Sequence, residues 1–382
     1  MKKTLLATSA LALVAATAGA VDVEMYGQVN KGIFGYNDGQ DTNVMIVDNN
    51  YSSTRLGVKG AQGLDNGLTA SVLYEMEMPN NASNSYTQDG AANTGTGKTV
   101  GNSASGSVST RQARVGLSGN FGGVYLGQQS VATDGVLGAD LAGAQDVLGQ
   151  DISSIGGGLK FRNSAAGKAF NTQVSPNTTV NSLVNTTFGD ERADSLRYDS
   201  PIFAGFQGRA SVAQGGDMDL AVFYDGAMGD FKVAGAAGVQ YNNDAAGVAT
   251  GGMSVESNQG ASLSVAHATG LAATVAYHTE SLQGKPSTGD EAEGLYAKVG
   301  YAWDAFEVAA DYSSNENFGS TTSSKTDRYR QLDAMGLAAQ YNLGNGVSVA
   351  GLYRTFDAEV GTTTKTSTDS IDLYGVNMRV KF

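Results

Sequence analysis

The chain has 382 residues, with 52 Gly, 4 Pro and no Cys, and carries 24 Lys and Arg against 37 Asp and Glu, a formal net charge of −13 at pH 7. So acidic a chain disfavours a polyanionic partner such as nucleic acid, and the lack of cysteine excludes disulfides, thiolate metal sites and thiol catalysis. Hydrophobic residues reach 41%, yet beyond the N-terminal leader no run is long and apolar enough for a transmembrane helix.

Met1-Lys2-Lys3 is a short basic start, Leu5 to Ala18 is apolar, and Ala18-Gly19-Ala20 closes the run with small residues. That order predicts a cleaved secretory signal peptide over 1–20, a mature start at Val21 and one domain over 21–382. The apolar run is short for a membrane anchor and no stop-transfer flank follows it. Losing Lys2 and Lys3 leaves 22 basic residues against 37 acidic ones, a mature charge of −15. An exported, Gly-rich, Pro-poor chain with alternating polarity fits a barrel wall, and its frequent β-branched and aromatic positions argue against disorder.

Period-two alternation runs along the rest of the chain. Leu56 and Val58 alternate with Arg55, Gly57 and Lys59; Leu68, Ala70, Val72 and Tyr74 with Thr69, Ser71 and Glu75; Val115 and Leu117 with Arg114, Gly116 and Ser118. Leu271, Ala273, Val275 and Tyr277 alternate with Ala272, Thr274 and His278, and Tyr374, Val376, Met378, Val380 and Phe382 with Gly375, Asn377, Arg379 and Lys381. Tight connections are expected at Gly63 to Gly67, Asn120 to Gly123, Pro201 to Gly205, Met228 to Asp230, Thr269-Gly270, Trp303-Asp304 and Leu343 to Gly346. Long polar ones are expected at Asn37 to Ser53, Asn80 to Ser109, Val131 to Ala193, Asn242 to Gly260, Ser281 to Glu293, Asn315 to Asp327 and Glu359 to Thr368, with one short connection at Gly215-Gly216. Short turns at one end and long loops at the other predict an all-β fold: a transmembrane antiparallel β-barrel of about sixteen strands. Its outward residues would meet lipid and its inward ones water. Phe121, Phe203, Phe206, Phe231, Trp303, Phe306, Tyr341 and Phe382 fall near the tight turns, as an interfacial aromatic girdle would.

Several segments then resemble the general diffusion porins of Gram-negative outer membranes. Val23-Glu24-Met25-Tyr26-Gly27-Gln28 is similar to their opening strand, and Ser53 to Gly60 with Leu64 to Ala70 to their second and third. Arg114 to Gly122 with Val124 to Gly127 resembles the next hairpin, Leu196 to Pro201 with Phe203 to Phe206 the one after the third loop, and Phe382 completes the pattern. The resemblance implies a sixteen-stranded homotrimer in the outer-membrane lipid, a water-filled channel for small hydrophilic solutes and ions without cofactor, and a third loop folded into the lumen. It also implies acidic groups on that loop facing basic groups on the wall, and a terminal aromatic strand recognised by the barrel assembly machinery.

The loop from Val131 to Ala193 carries Asp134, Asp140, Asp146 and Asp151 interleaved with Leu137, Leu141, Val147 and Leu148. This spacing suits a segment that packs one side on the wall and turns carboxylates to water; a solvated extracellular loop is the alternative. Parity puts Arg55, Lys59, Arg114, Arg197 and Arg209 on the inward set, and Arg55 and Arg114 stand where the resemblance places wall arginines. Gln28 or Asn30 stands where many relatives carry a basic residue, and Lys31 has the wrong parity unless a bulge re-aims it. Opposed charges across a narrow lumen would act by a transverse field. Two other readings stay open: a barrel adhesin or structural barrel whose long loops bind a partner, and a barrel enzyme, for which His267 and His278 stand in no recognisable catalytic motif.

Overall fold

The structure, a computed structural model, describes residues 22–88, 108–164, 169–171, 178–185, 188–189, 191–243, 254–283, 291–318, 329–361 and 365–382. The predicted leader over 1–20 lies outside them, as do parts of the long connections.

Alternating polarity builds the wall. β1 (Asp22–Asn37) pairs antiparallel with β2 (Thr42–Asp48) through its second half and with β3 (Arg55–Gly63) through its first. An antiparallel meander follows: β4 (Thr69–Glu77), β5 (Ser109–Gly119), β6 (Gly122–Ser130), β7 (Arg192–Asp199), β8 (Phe206–Ala213), β9 (Met218–Met228) and β10 (Phe231–Tyr241). It continues through β11 (Ser254–His267), β12 (Leu271–Gln283), β13 (Ala292–Trp303), β14 (Phe306–Glu316), β15 (Tyr329–Gly344) and β16 (Val347–Gly361). The short β17 (Thr366–Ser367) and β18 (Ile371–Lys381) both pair with β16. β18 then returns to β1, from Gln28 opposite Lys381 to Asn37 opposite Asp372. β2 and β3 are two parts of one stave, as are β17 and β18, so eighteen segments close into a sixteen-stranded barrel. Closure satisfies the edge N–H and C=O groups, each of which would cost several kcal/mol unpaired in hydrocarbon.

The tight turns fall where the sequence places them, including Leu64 to Leu68, whose N–H donates to the Leu68 carbonyl at 2.7 Å, and the short connection at Gly215-Gly216. The stretch from Asn37 to Ser53, expected as a loop, is different. β1 runs to Asn37, a turn over 38–41 is fixed by the Asp38 carboxylate accepting from the Asp41 N–H at 2.8 Å, and β2 descends from Thr42. Asn and Asp flanks read as loop, but pairing with β1 overrides that local preference. Similarly β11 starts at Ser254, inside the stretch expected as a loop to Gly260.

Outward positions are apolar: Val29 and Ile33 on β1, Val115 and Leu117 on β5, Val376 and Met378 on β18 are all exposed. All eight aromatics expected near the turns are exposed as well, Phe203 at 83%. Trp303 stacks between Tyr301 (5.6 Å) and Phe306 (5.7 Å), and Phe306 meets Tyr341 at 4.6 Å. This places a ladder of rings at the tight-turn rim, where amphipathic aromatics favour the membrane interface.

The inner face is not uniformly polar, which corrects the expectation that inward residues all meet water. Phe34 and Tyr36 of β1, Met45 and Val47 of β2, Phe356 of β16 and Leu373 of β18 point inward near the long-loop end and are buried. They pack with Leu148, Ile152, Ile155, Leu159, Phe161 and Leu183 from the connection between β6 and β7. Each large side chain so buried contributes about 1.5–3 kcal/mol. One side of the barrel is therefore two layers thick.

Candidate functional site

The connection between β6 and β7 walks along the inner wall, strand by strand. The Ala132 N–H donates to the Ser211 hydroxyl of β8 (2.7 Å) and the Thr133 hydroxyl to Asp219 of β9 (2.6 Å). Ser262 and Ser264 of β11 bond Val136 O (2.6 Å) and accept from the Leu141 N–H (2.8 Å). Thr274 of β12 and Lys298 of β13 donate to Asp140 at 2.9 and 2.7 Å, and Glu307 of β14 accepts from the Ala144 N–H at 2.7 Å. Gln340 of β15 accepts from the Asp146 N–H at 3.1 Å, while the Asp146 carboxylate takes Ser348 of β16 and Arg379 of β18. Asn49, between β2 and β3, donates to the Asp146 carbonyl at 2.7 Å. Farther on, the Arg354 guanidinium of β16 reaches Ile152 O (3.3 Å) and pairs with Asp311 of β14. The segment thus touches one end of β8 at Ser211 and lines the polar face from β9 around to β18, and among the described residues it leaves the inner face of β3 to β7 and the Arg209 end of β8 uncovered.

The return limb is anchored by uncharged donors. Asn185 donates to Asn258 (3.1 Å) and Glu280 (2.6 Å), Asn258 to Gln240 (2.9 Å), and Gln240 to Glu191. Burial lifts the Glu191 carboxyl above the usual carboxylate range, with the Gln240 bond pulling against it. Near this limb, His278 lies between Phe188 (6.4 Å) and Phe318 (4.8 Å), and His267 ends β11 against Thr269 at 2.9 Å.

The four loop carboxylates are used differently from the expectation. Asp146 is fully enclosed, and Asp140 is held by Lys298. Asp134 lies 4.0 Å from Arg192, and Asp151 accepts from Ser153 at 2.9 Å and from Ser154. Their wall partners are Arg192, Lys298 and Arg379, none of which the parity argument singled out. The spacing of the acids with leucines was legible; the strand each would reach depends on the path of the loop.

The five basic residues chosen by parity do lie on the inward set, and all belong to the uncovered wall or its mouth. Arg55 lies 3.7 Å from Glu75, and Lys59 pairs at 3.1 Å with Glu24 toward the tight-turn end. Arg114 stacks on Tyr125, its guanidinium carbon 4.4 Å from the ring centre. Arg197 grips Asp199 through two bonds of 2.9 and 3.0 Å and donates to Ser130 O at 2.7 Å. Arg209 covers the Phe223 ring at 4.0 Å. Arg111 joins them, 2.9 Å from Glu75 and 3.4 Å from Glu77. A bulge brings it there: Gln112 faces Glu75 and Thr110 faces Met76, so Arg111 is the extra residue and turns inward. Among the described residues, no carboxylate pairs with Arg114 or Arg209. Lys31 lies outward, as its parity requires, against Asp48.

Comparison with known proteins agrees with this architecture. Residues 7–361 match the family model described as Gram-negative porin. The chain is 31% identical over 173 residues to outer membrane porin protein 32 of Delftia acidovorans, covering 44% of this chain and 41% of that protein. It is 28% identical over 216 residues to the major outer membrane protein P.IB of Neisseria sicca, covering 55% of this chain and 46% of that one; both matches span less than half of the relative. Among solved structures, an anion-selective porin from Comamonas acidovorans superposes with a TM-score of 0.60 at 19% identity, over 95% of this chain and 100% of that chain. The outer-membrane protein OmpT of Vibrio cholerae, in its trimer form, does so at 0.57 and 15% identity, over 95% and 100%. With its sixteen-stranded wall, apolar outside and charged inside, the chain belongs to the Gram-negative porins and is a β-barrel of the outer membrane.

Proposed function

We propose that this porin is a passive channel for small hydrophilic solutes and ions, that its path runs between the inner loop and the uncovered wall from β3 to the Arg209 end of β8, and that it favours anions. The observation that carries the sign is the state of the charges along that path. Arg114 and Arg209 have no carboxylate partner among the described residues, whereas Asp140 and Asp146 of the loop are occupied by Lys298 and Arg379. Fixed cations facing a narrow lumen raise the local anion concentration and lower its entry barrier. Arg55, Arg114, Arg197 and Arg209, with Asp134 and Asp151 opposite, form the constriction; Lys59 belongs to its lower mouth.

No chemical step is assigned: His278 lies between two phenylalanine rings, and His267 meets the Phe231 ring and the Thr269 hydroxyl of its own turn. The leader over 1–20 is a cleaved export signal in this reading, and Phe382, 66% exposed at the closing seam, is the element offered to the assembly machinery. A homotrimer is supported by Lys31, set outward and 44% exposed between Val29 and Ile33 with its partner Asp48 enclosed, a cation in an otherwise apolar belt that a neighbouring copy would shield from lipid.

The test is the reversal potential of the refolded chain in a planar bilayer under a salt gradient. Stable conductance with anions more permeant than cations is expected. A cation-preferring channel would overturn the sign, and a folded barrel without ohmic conductance would overturn the channel and favour the adhesive barrel.

A further inference from the structure

We infer that Tyr125 is a positioning residue for ion selection: its ring holds the Arg114 cation along the open wall and apart from Arg197 and Asp199. The inference rests on the anion-favouring channel proposed above. Tyr125 lies on β6 between Val124 and Leu126, both exposed on the outer face, so its own side chain is inward. In the register it faces Gly116 on β5 and Arg197 on β7.

The ring lies along the wall because the wall is bare beneath it. A Cβ at Gly116 would stand 2.5 Å from Tyr125 Cδ1, and one at Gly123 would stand 2.5 Å from its hydroxyl. No side chain fits at either place while the ring keeps this pose. Laid flat, it presents its faces and edges to two cations, Arg114 at 4.4 Å and Arg197 at 5.5 Å from the ring centre.

The two arginines differ in their other partners. Arg197 is neutralised by Asp199 and bonded to Ser130 O. Arg114 makes its ring contact but no ion pair among the described residues. A long guanidinium side chain with a carboxylate two strands away would relax toward it if nothing else held it. The negative face of an aromatic ring attracts a cation without cancelling its charge. Tyr125 therefore anchors Arg114 while leaving its positive charge available to a passing anion, which a carboxylate in the same place would not.

The experiment compares Tyr125→Phe and Tyr125→Leu with the wild-type chain by reversal potential and single-channel conductance. Tyr125→Phe keeps the ring face and is expected to keep the wild-type permeability ratio. Tyr125→Leu is expected to lower the anion-to-cation ratio by about two- to fivefold, the range set by one exposed cation–π contact, with conductance little altered. In an Arg114→Gln background, Tyr125→Leu should cause no further loss, an outcome that a merely structural ring would not produce. If Tyr125→Leu does not assemble, Gly116→Ala, which displaces the ring from its seat, gives the same readout. A wild-type channel that prefers anions and a Tyr125→Leu channel with the same ratio would overturn the inference alone. A wild-type channel with no anion preference would overturn the selectivity reading and this inference with it.

Discussion

Glu75 accepts a hydrogen bond from the Tyr26 hydroxyl at 2.8 Å and lies within ion-pair reach of both Arg55 and Arg111. One carboxylate thus restrains two wall cations. Glu75→Gln should leave both cations without their counter-charge and raise the anion-to-cation permeability ratio by about two- to fivefold, on the order of 0.5–1 kcal/mol, the Coulomb energy of one unit charge about 4–8 Å from an ion in water; reversal potentials in a salt gradient would measure it. A ratio unchanged from wild type would mean that the permeation path avoids this wall. At this scale parity made Arg55, Arg114, Arg197 and Arg209 legible, because inward and outward sets alternate along a regular strand. Arg111 was not legible: its inward aim depends on a bulge, and the sequence there gives no sign of one. Lys298, Arg354 and Arg379 were readable as inward residues, but their acidic partners arrive from a segment whose course no local pattern encodes.

The inner loop is an element held by two kinds of contact. Buried ion pairs fix its outward limb, and amide bonds to carboxylates fix its return. Asp146→Asn would leave Arg379 enclosed without its counter-charge, a change worth about 3–5 kcal/mol in buried pairs. The expected result is larger and noisier single-channel current and faster proteolysis within 131–163; quiet wild-type openings would show that the remaining contacts suffice. The return limb should respond to pH. The Glu191 carboxyl is raised by burial, so docking favours its protonated form, and the stability it contributes is present on the acid side and lost as pH rises through the raised value. The Val131 amide, which donates to Glu191 O at 3.2 Å, should therefore exchange more slowly at pH 5 than at pH 8 after correction for intrinsic rates. Glu191→Gln should abolish the difference. The strands themselves were legible from period two, and the tight turns from their Gly, Asn and Asp. β2 was missed because Thr42 to Asp48 becomes a strand through pairing with β1, a long-range cause.

For the whole molecule, closure is the decisive event, and the β1–β18 seam performs it. The Gly27 N–H donates to Phe382 O at 3.0 Å and the Phe382 N–H to Gly27 O at 3.1 Å, so Val29 and Val380, directly opposite two residues on, have the spacing of a bonded antiparallel pair, about 5.5 Å between Cα atoms. That suits a disulfide. Since the natural chain has no cysteine, a Val29→Cys, Val380→Cys double variant should oxidise to a single intramolecular species that keeps its conductance. Failure to cross-link in folded protein would contradict the register of the seam.

The inner loop also divides the barrel mechanically. From β9 around through β18 to β2 the wall is backed by a second layer; from β3 to β7 and at the Arg209 end of β8, among the described residues, a single sheet separates lipid from water. A wall one layer thick has only its ladder bonds to resist bending, so thermal undulation should concentrate there. Pulled strand by strand from the membrane, the molecule should yield in low-force steps across the thin arc and resist as one block across the thick one. The arc that carries Arg55, Arg114, Arg197 and Arg209 should thus be the compliant part of the tube, free to flex while the layer behind the other staves holds still.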